Sequence, residues 1–306
     1  MMSVDTLERY LRSKLRGDVR RHEPMARHTT YRIGGPAELF ITCETMTDLI
    51  ETVRSCDAEG LERVTIGKGS NLLVADGGYP GAVIALGDEF KAHRVQGAEI
   101  EAGAACILAF VVRDAYSRGL GGMEFAVGIP GTVGGAIAMN AGTGADWIGA
   151  VAGSVTVYLP DAGLQRLRAD ELEWEYRSSG LPAAAVVVET TLRLHEAEQQ
   201  AIRAMMDAGL ERRKRTQPIG MPSAGSVFRN PPGDSAGRLI ESAGLKGTRL
   251  GGARISEVHA NFIVNDGGAT AADVLGLVRK AQMTVRDAHG IQITPEIKLL
   301  GTFEEA

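Results

Sequence analysis

The chain has only three cysteines, Cys43, Cys56 and Cys106, and they are scattered without metal-type spacing. An odd, dispersed set of thiols argues against a disulfide frame or a cysteine-bound metal and predicts reduced thiols in a cytoplasm. No apolar run approaches the ~18 residues that a membrane span needs. The stretch MMSVDTLERYLRSKLRGDVRR has no signal-peptide apolar centre; Leu7, Tyr10, Leu11 and Leu15 share one helical face and predict a short docking helix. Positive charge is not in surplus either. The formal net charge is −5, which disfavours a general nucleic-acid binder. The basic cluster ERRKR, Glu211 to Arg215, reads on its own as a solvated helix end. Walker and Rossmann phosphate fingerprints, internal repeats and low-complexity segments are all missing.

What is present is an alternation of strand and helix signals. At 306 residues the chain has room for two or three compact units. Strand patches are expected at Thr29–Gly35 and Ala37–Thr42, then a helix capped at Thr45 or Thr47, and strands at Arg63–Ile66, Leu72–Val74 and Ala82–Leu86. Further strands are expected at His93–Gln96, Glu99–Ala102, Val151–Leu159, Gln165–Leu167 and Val186–Leu194, with a helix near Cys106–Ser117. The last third predicts helices at Ala197–Arg213, Ser235–Ala243 and Ala271–His289, strands at Gly252–Ile255 and Asn261–Val264, and a final strand Gln292–Leu300. This divides the chain into an N-terminal helical segment (1–26), two small units (27–90 and 91–196) and a C-terminal unit (197–306).

Three loops carry the chemistry. In PSAGSVFRNP, Gly225 precedes Ser226, Val227 and Phe228 read as a short buried strand, and flanking prolines forbid a helix through the segment. No His–Asp pair lies nearby in sequence to activate the serine as a nucleophile. In GKGSN, successive amides of Gly67, Lys68 and Gly69, with Ser70 and Asn71 as donors, make a concavity for phosphate oxygens, although a plain β-turn has the same composition. The longer run GIPGTVGGAIAMNAG carries Gly128, Ile129, Pro130, Gly131, Gly134, Gly135, Asn140 and Gly142. So many residues without side chains suit a backbone pressed against a large planar ligand and its pyrophosphate, or a tight loop packing strands together.

Taken with RIGGPAEL, YRSSG, AGRLIESAGLKG, HANFIVN and the terminal TPEI, these motifs resemble, in order, those of the UDP-N-acetylenolpyruvoylglucosamine reductases, flavoenzymes of bacterial cell-wall precursor synthesis. The resemblance covers about Arg27 to Gly301. It implies an α+β protein: a two-part FAD-binding domain of the vanillyl-alcohol-oxidase type followed by a C-terminal α/β substrate-binding domain. The chain is similar to the shorter subtype, which lacks a tyrosine-bearing insertion after YRSSG. It implies FAD as cofactor, with Arg32 and the two glycine-rich loops holding it. No histidine resembles a covalent anchor, so non-covalent FAD is expected, with NADPH as reducing co-substrate and no metal.

In that family, reduced flavin gives hydride to the methylene carbon of an enolpyruvyl ether, and a proton then reaches the neighbouring carbon. Such chemistry needs a cation at the substrate carboxylate, an acidic group sharing the enolate charge and a proton donor on the correct face. By resemblance Ser226 is the proton donor, Arg177 the cation, and Glu296 the acidic group, acting best in its protonated form. From the residues alone, Ser226 could instead cap a turn, Arg177 pair with Glu173 or Glu175, and Glu296 be an exposed strand-end charge. Arg213 and Lys214 resemble the family's grip on the substrate diphosphate, but Thr216 stands where some members carry lysine, so Lys214 or Arg229 is an alternative cation. Asn230 is a candidate substrate donor; His259 is read as ordering a loop. Two other readings stay open: an oxidase of the same flavin superfamily, and a catalytically silent sugar-nucleotide sensor.

Overall fold

The computed structural model describes residues 3–144 and 146–303; Met1–Met2 and Glu304–Ala306, at the ends of the first and last expected segments, lie outside the described residues. Two compact units interleave along the chain. Unit 1 comprises Met1–Arg21, Leu39–Gly67 and Gly81–Glu211, and unit 2 comprises His22–Glu38, Lys68–Pro80 and Arg212–Ala306.

Unit 1 begins with α1, Val4–Lys14, capped by the Ser3 hydroxyl on the Thr6 amide. Its expected apolar face buries Leu7 and Leu11 beside Leu49 and Val53 of α2, Met46–Ala58. Of the two cap candidates for α2, Thr45 is the one used. A four-stranded sheet holds Val19–Pro24, Pro36–Cys43, Tyr79–Leu86 and Arg63–Ile66 in that spatial order. A five-stranded antiparallel sheet runs Gly163–Arg168, Ala152–Leu159, Val186–Arg193, Glu99–Gly103, His93–Gln96. Against it, α3 (Leu108–Ser117) and α4 (Val133–Ala138) bury Val111, Val112, Val133 and Ile137. The long helix α5, Gln199–Thr216, follows.

Unit 2 builds its core from α6 (Ala236–Ser242), α7 (Ala271–His289) and a three-stranded sheet of Arg249–Leu250, Ala253–Ile255 and Ile263–Asn265. Val274, Val278, Ala281 and Val285 bury one stripe of α7 at helical spacing. Thr270 and Asp273 close a capping box at its start, and Gly290 ends it at φ +68°. Asp76 adds both carboxylate oxygens to the same N-terminus, accepting from the amides of Ala271 and Ala272 at 2.8 and 2.9 Å. Strand Leu72–Val74 pairs in parallel with Lys298–Leu300. Tyr31, Ile33 and Leu73 share this core with Val227, Phe228 and Ile297, which is why 22–38 and 68–80 group with the C-terminal part of the chain.

Three expectations need correction. Thr29–Gly35 is a turn and coil, not a strand, because Arg32 (φ +56°) and Gly34 (φ +133°) leave the extended region. Strand Gln292–Leu300 shrinks to Lys298–Leu300 plus an isolated bridge between Phe228 and Pro295; Val227–Phe228 is likewise only that bridge. Proline has no N–H to extend the ladder. The glycine-rich run is not all loop: Thr132 caps α4 within it, its hydroxyl accepting from the Gly135 amide at 3.3 Å.

Candidate active site

The glycine-rich run of unit 1 divides by function. Gly134 is buried, and a Cβ there would stand 2.7 Å from Ala104 Cβ, so close packing of α4 alone accounts for this glycine, which the sequence assigned to the cofactor. Gly128, Pro130 and Gly135 are exposed, and Gly128 and Gly131 take φ of +73° and +132°. Ile129 donates its amide to Ala126, 3.0 Å away. Among the described residues the Gly128 and Gly131 amides have no protein acceptor. Gly67, also exposed, closes on the same place: a Cβ on it would lie 2.5 Å from Thr132 Oγ1. Exposed glycine backbone with open donors is what a planar, phosphate-bearing cofactor needs, and the site fits FAD on that ground.

The arginine of YRSSG is placed by this run. Glu175 and Ser178 exchange backbone bonds of 3.0 Å, closing a four-residue turn in which Arg177 sits at φ +63°. Asn140, itself left-handed at φ +41°, donates its amide to the Glu175 carbonyl at 2.9 Å and accepts from Gly149 at 3.1 Å. Arg177 donates to the Gly142 carbonyl at 3.3 Å and lies over the exposed Tyr176 ring, 5.2 Å from its centroid. Asn140 and Gly142 therefore hold the Arg177 turn. Non-glycine residues at positive φ carry strain, which collects at functional sites. Among the described residues there are four, and Arg32, Asn140 and Arg177 are three of them.

Unit 2 brings Ser226 and Glu296 onto two neighbouring, hydrogen-bonded segments of backbone. Gly225 at φ +74° turns the chain into Ser226. The next carbonyl, that of Val227, accepts from the Glu296 amide at 2.7 Å, and Arg229 donates its amide to Thr294 at 2.9 Å. The Ser226 hydroxyl, half-buried, has no hydrogen-bond partner among the described residues. Glu296 is also half-buried, with Oε2 out of solvent reach. Asn71 spends an amide hydrogen on the Glu296 carbonyl at 3.1 Å, and its own carbonyl accepts from Lys298 at 2.9 Å. The rest of GKGSN in this unit is Lys68, exposed, Gly69 and Ser70; Gly69, at φ +59°, passes so close to the chain that a Cβ would reach His28 O at 2.2 Å. Thr30 ties the Arg32 loop to this region by donating to the Ser223 carbonyl at 2.6 Å. Arg32 points out, exposed between buried Tyr31 and Ile33.

The expected substrate contacts separate. Arg213 is half-buried, 3.3 Å from Gln217 Oε1, and burial, helped by Arg212, holds its guanidinium below the ordinary arginine value. Lys214 and Arg229 are exposed. Asn230 accepts from the Ala236 amide at 3.1 Å and so helps begin α6. His259 accepts from the Asn261 amide at 3.2 Å and meets Phe262 edge-on, as a loop-ordering residue does. Asn261, in the same HANF motif, is the residue that sequence reasoning passed over: it bonds both backbone groups of Phe228 at 2.8 Å. Its place three residues before a buried Val264 gives no sign of that role.

Residues 37–167 match an FAD binding domain, and residues 217–300 match the UDP-N-acetylenolpyruvoylglucosamine reductase C-terminal domain. The chain is 45% identical to UDP-N-acetylenolpyruvoylglucosamine reductase 2 of Symbiobacterium thermophilum, over 95% of this chain and 96% of that one. It is 43% identical to the corresponding reductase of Moorella thermoacetica over 98% and 99%. The crystal structure of UDP-N-acetylenolpyruvylglucosamine reductase from Thermus caldophilus superposes with a TM-score of 0.82 at 38% identity, covering 94% of this chain and 99% of that one.

Proposed function

The chain belongs to the UDP-N-acetylenolpyruvoylglucosamine reductase family, and on that premise we propose that it reduces UDP-N-acetylglucosamine enolpyruvate to UDP-N-acetylmuramate, a step toward peptidoglycan. Bound FAD, reduced by NADPH, supplies the hydride that the substrate's methylene carbon receives. The amides of Gly128 and Gly131, the GKGSN loop from Gly67 to Asn71, and Arg32 hold that cofactor, with segments 27–90 and 91–196 as its domain and 197–306 as the substrate's. It acts in the cytoplasm; among the described residues no helix is long and apolar enough to cross a membrane.

The protein's own part is to manage charge and one proton. Arg177, held in its turn by Asn140, offers a permanently charged planar fork to the substrate carboxylate as enolate charge grows. Glu296 shares that charge. Ser226 gives its proton to the carbon beside the carboxylate; a serine is a weak acid, but a carbanion at contact distance is a strong base, so position outweighs acidity. The observation that carries this reading is the Val227–Glu296 backbone bond, which fixes the serine's neighbour to the glutamate while leaving the hydroxyl without a protein partner among the described residues. Arg213, Lys214, Arg229 and Asn230 are proposed to meet the sugar nucleotide, with NADPH and substrate alternating at one cleft.

The test is anaerobic. NADPH bleaches the yellow flavin, and the enolpyruvyl sugar nucleotide then restores the colour. A protein that bleaches but stays colourless after the sugar nucleotide is added is not this reductase.

A further inference from the structure

We infer that Asn261 is the positioning residue for Ser226, acting through the backbone of Val227 and Phe228; this rests on the proton-donor reading of Ser226 given above. In the bridge between Phe228 and Pro295, hydrogen bonds run from the neighbours: Arg229 to Thr294, and Glu296 to Val227. Such a pair turns its own N–H and C=O to the opposite side, where a further strand would normally receive them. At Phe228 no further strand lies there among the described residues. Asn261 takes its place: its Oδ1 accepts from the Phe228 amide and its Nδ2 donates to the Phe228 carbonyl, both at 2.8 Å. The backbone carbonyl of Asn261 accepts from the Val227 amide, also at 2.8 Å.

Four backbone groups of Val227 and Phe228 thus need partners, and Asn261 supplies three while Glu296 supplies the fourth. Asn261 is 3% exposed, and Val227 and Phe228 are 0% and 2% exposed, so water cannot substitute. The amide orientation follows from its partners, since the carboxamide oxygen must face the Phe228 N–H and its nitrogen the Phe228 C=O. Asn261 itself is set by His259, whose Nδ1 accepts from its amide. With one side of the segment on Glu296 and the other on Asn261, the Ser226 Cα has little freedom. A hydroxyl that must meet a carbanion in line tolerates little displacement; about 1 Å is worth roughly 100-fold in rate.

The experiment is a double-mutant cycle on the holoenzyme, read as the two separate half-reactions under anaerobic conditions. Asn261→Leu removes both side-chain bonds while keeping the same number and branching of side-chain heavy atoms. Asn261→Asp keeps the acceptor for the Phe228 amide but, when ionised, loses the donor; it carries the same test if the leucine variant does not fold. The expected result is bleaching by NADPH within about twofold of wild type, recolouring by the enolpyruvyl sugar nucleotide slowed roughly 10- to 100-fold, and a double variant with Ser226→Ala no slower than Ser226→Ala alone. Equal losses in both half-reactions, or a double variant slower by the product of the single effects, overturns the inference and leaves Asn261 as plain structural support. A wild-type protein that fails to recolour sinks the reductase reading itself, whereas a normal wild type with an unaffected Asn261 variant sinks only the positioning role.

Discussion

Ser226 follows a glycine at φ +74°, where an added Cβ would meet nothing within 4 Å; Gly69, at φ +59°, has the His28 carbonyl 2.2 Å from its Cβ position. The two glycines therefore make different predictions. Gly225→Ala carries only the left-handed backbone cost of about 1–2 kcal/mol. Gly69→Ala adds a collision with backbone that cannot swing away, so urea unfolding of the holoprotein should rank it clearly as the more damaging. A second residue-scale prediction concerns His259. Burial is the main cause that holds its imidazole below the usual 6.5; Lys246 also lowers it, and Glu241 acts the other way. A depressed histidine keeps its full contribution above 6.5, where both folded and unfolded forms are neutral. As pH falls from there the unfolded form gains its proton first, and stability is lost through the folded value. Unfolding curves of wild type should weaken on acidification below 6.5 more than those of His259→Asn; parallel curves would remove His259 from the account.

The helices differ in how plainly their residues announce them. In α7 the buried stripe, the Thr270–Asp273 box and Gly290 are local signals, and the helix spans Ala271–His289 as those signals require. In α4, Val133–Ala138, the glycines that allow the close pass over Ala104 also hide the helical pattern. Strand Val19–Pro24, VRRHEP, has too many charges to alternate visibly. For Ser226, Arg177 and Glu296 the sequence offers one motif each for a proposed role, and the fold adds the Arg177 turn and the Val227–Glu296 backbone bond. The site was illegible where the role depends on distant chain: Asn261 acts 33 residues from Phe228, and Asp76 caps α7 from 195 residues away. Asp76 gives the element-scale prediction. Asp76→Ala should cost about 1–2 kcal/mol by leaving two first-turn amides without their acceptor, with flavin content unchanged. A loss below a few tenths of a kcal/mol would mean that Thr270 suffices as cap.

Across the whole molecule, two interleaved units divide the proposed chemistry: Arg177 belongs to one, Ser226 and Glu296 to the other. The thiols report on unit 1. Burial pushes Cys43 and Cys56 up to about 12 and raises Cys106 as well. Folded protein near pH 8 should resist iodoacetamide, with labelling, read by mass spectrometry, only on unfolding; rapid labelling with flavin retained would contradict the packing described here. The most direct test of the central claim is a single turnover of the Ser226→Ala holoenzyme, followed at the flavin absorbance band. NADPH should bleach this variant at the wild-type rate, while the enolpyruvyl sugar nucleotide recolours it at least ~100-fold more slowly, in the range for loss of a general acid. Recolouring at the wild-type rate would contradict proton donation by Ser226.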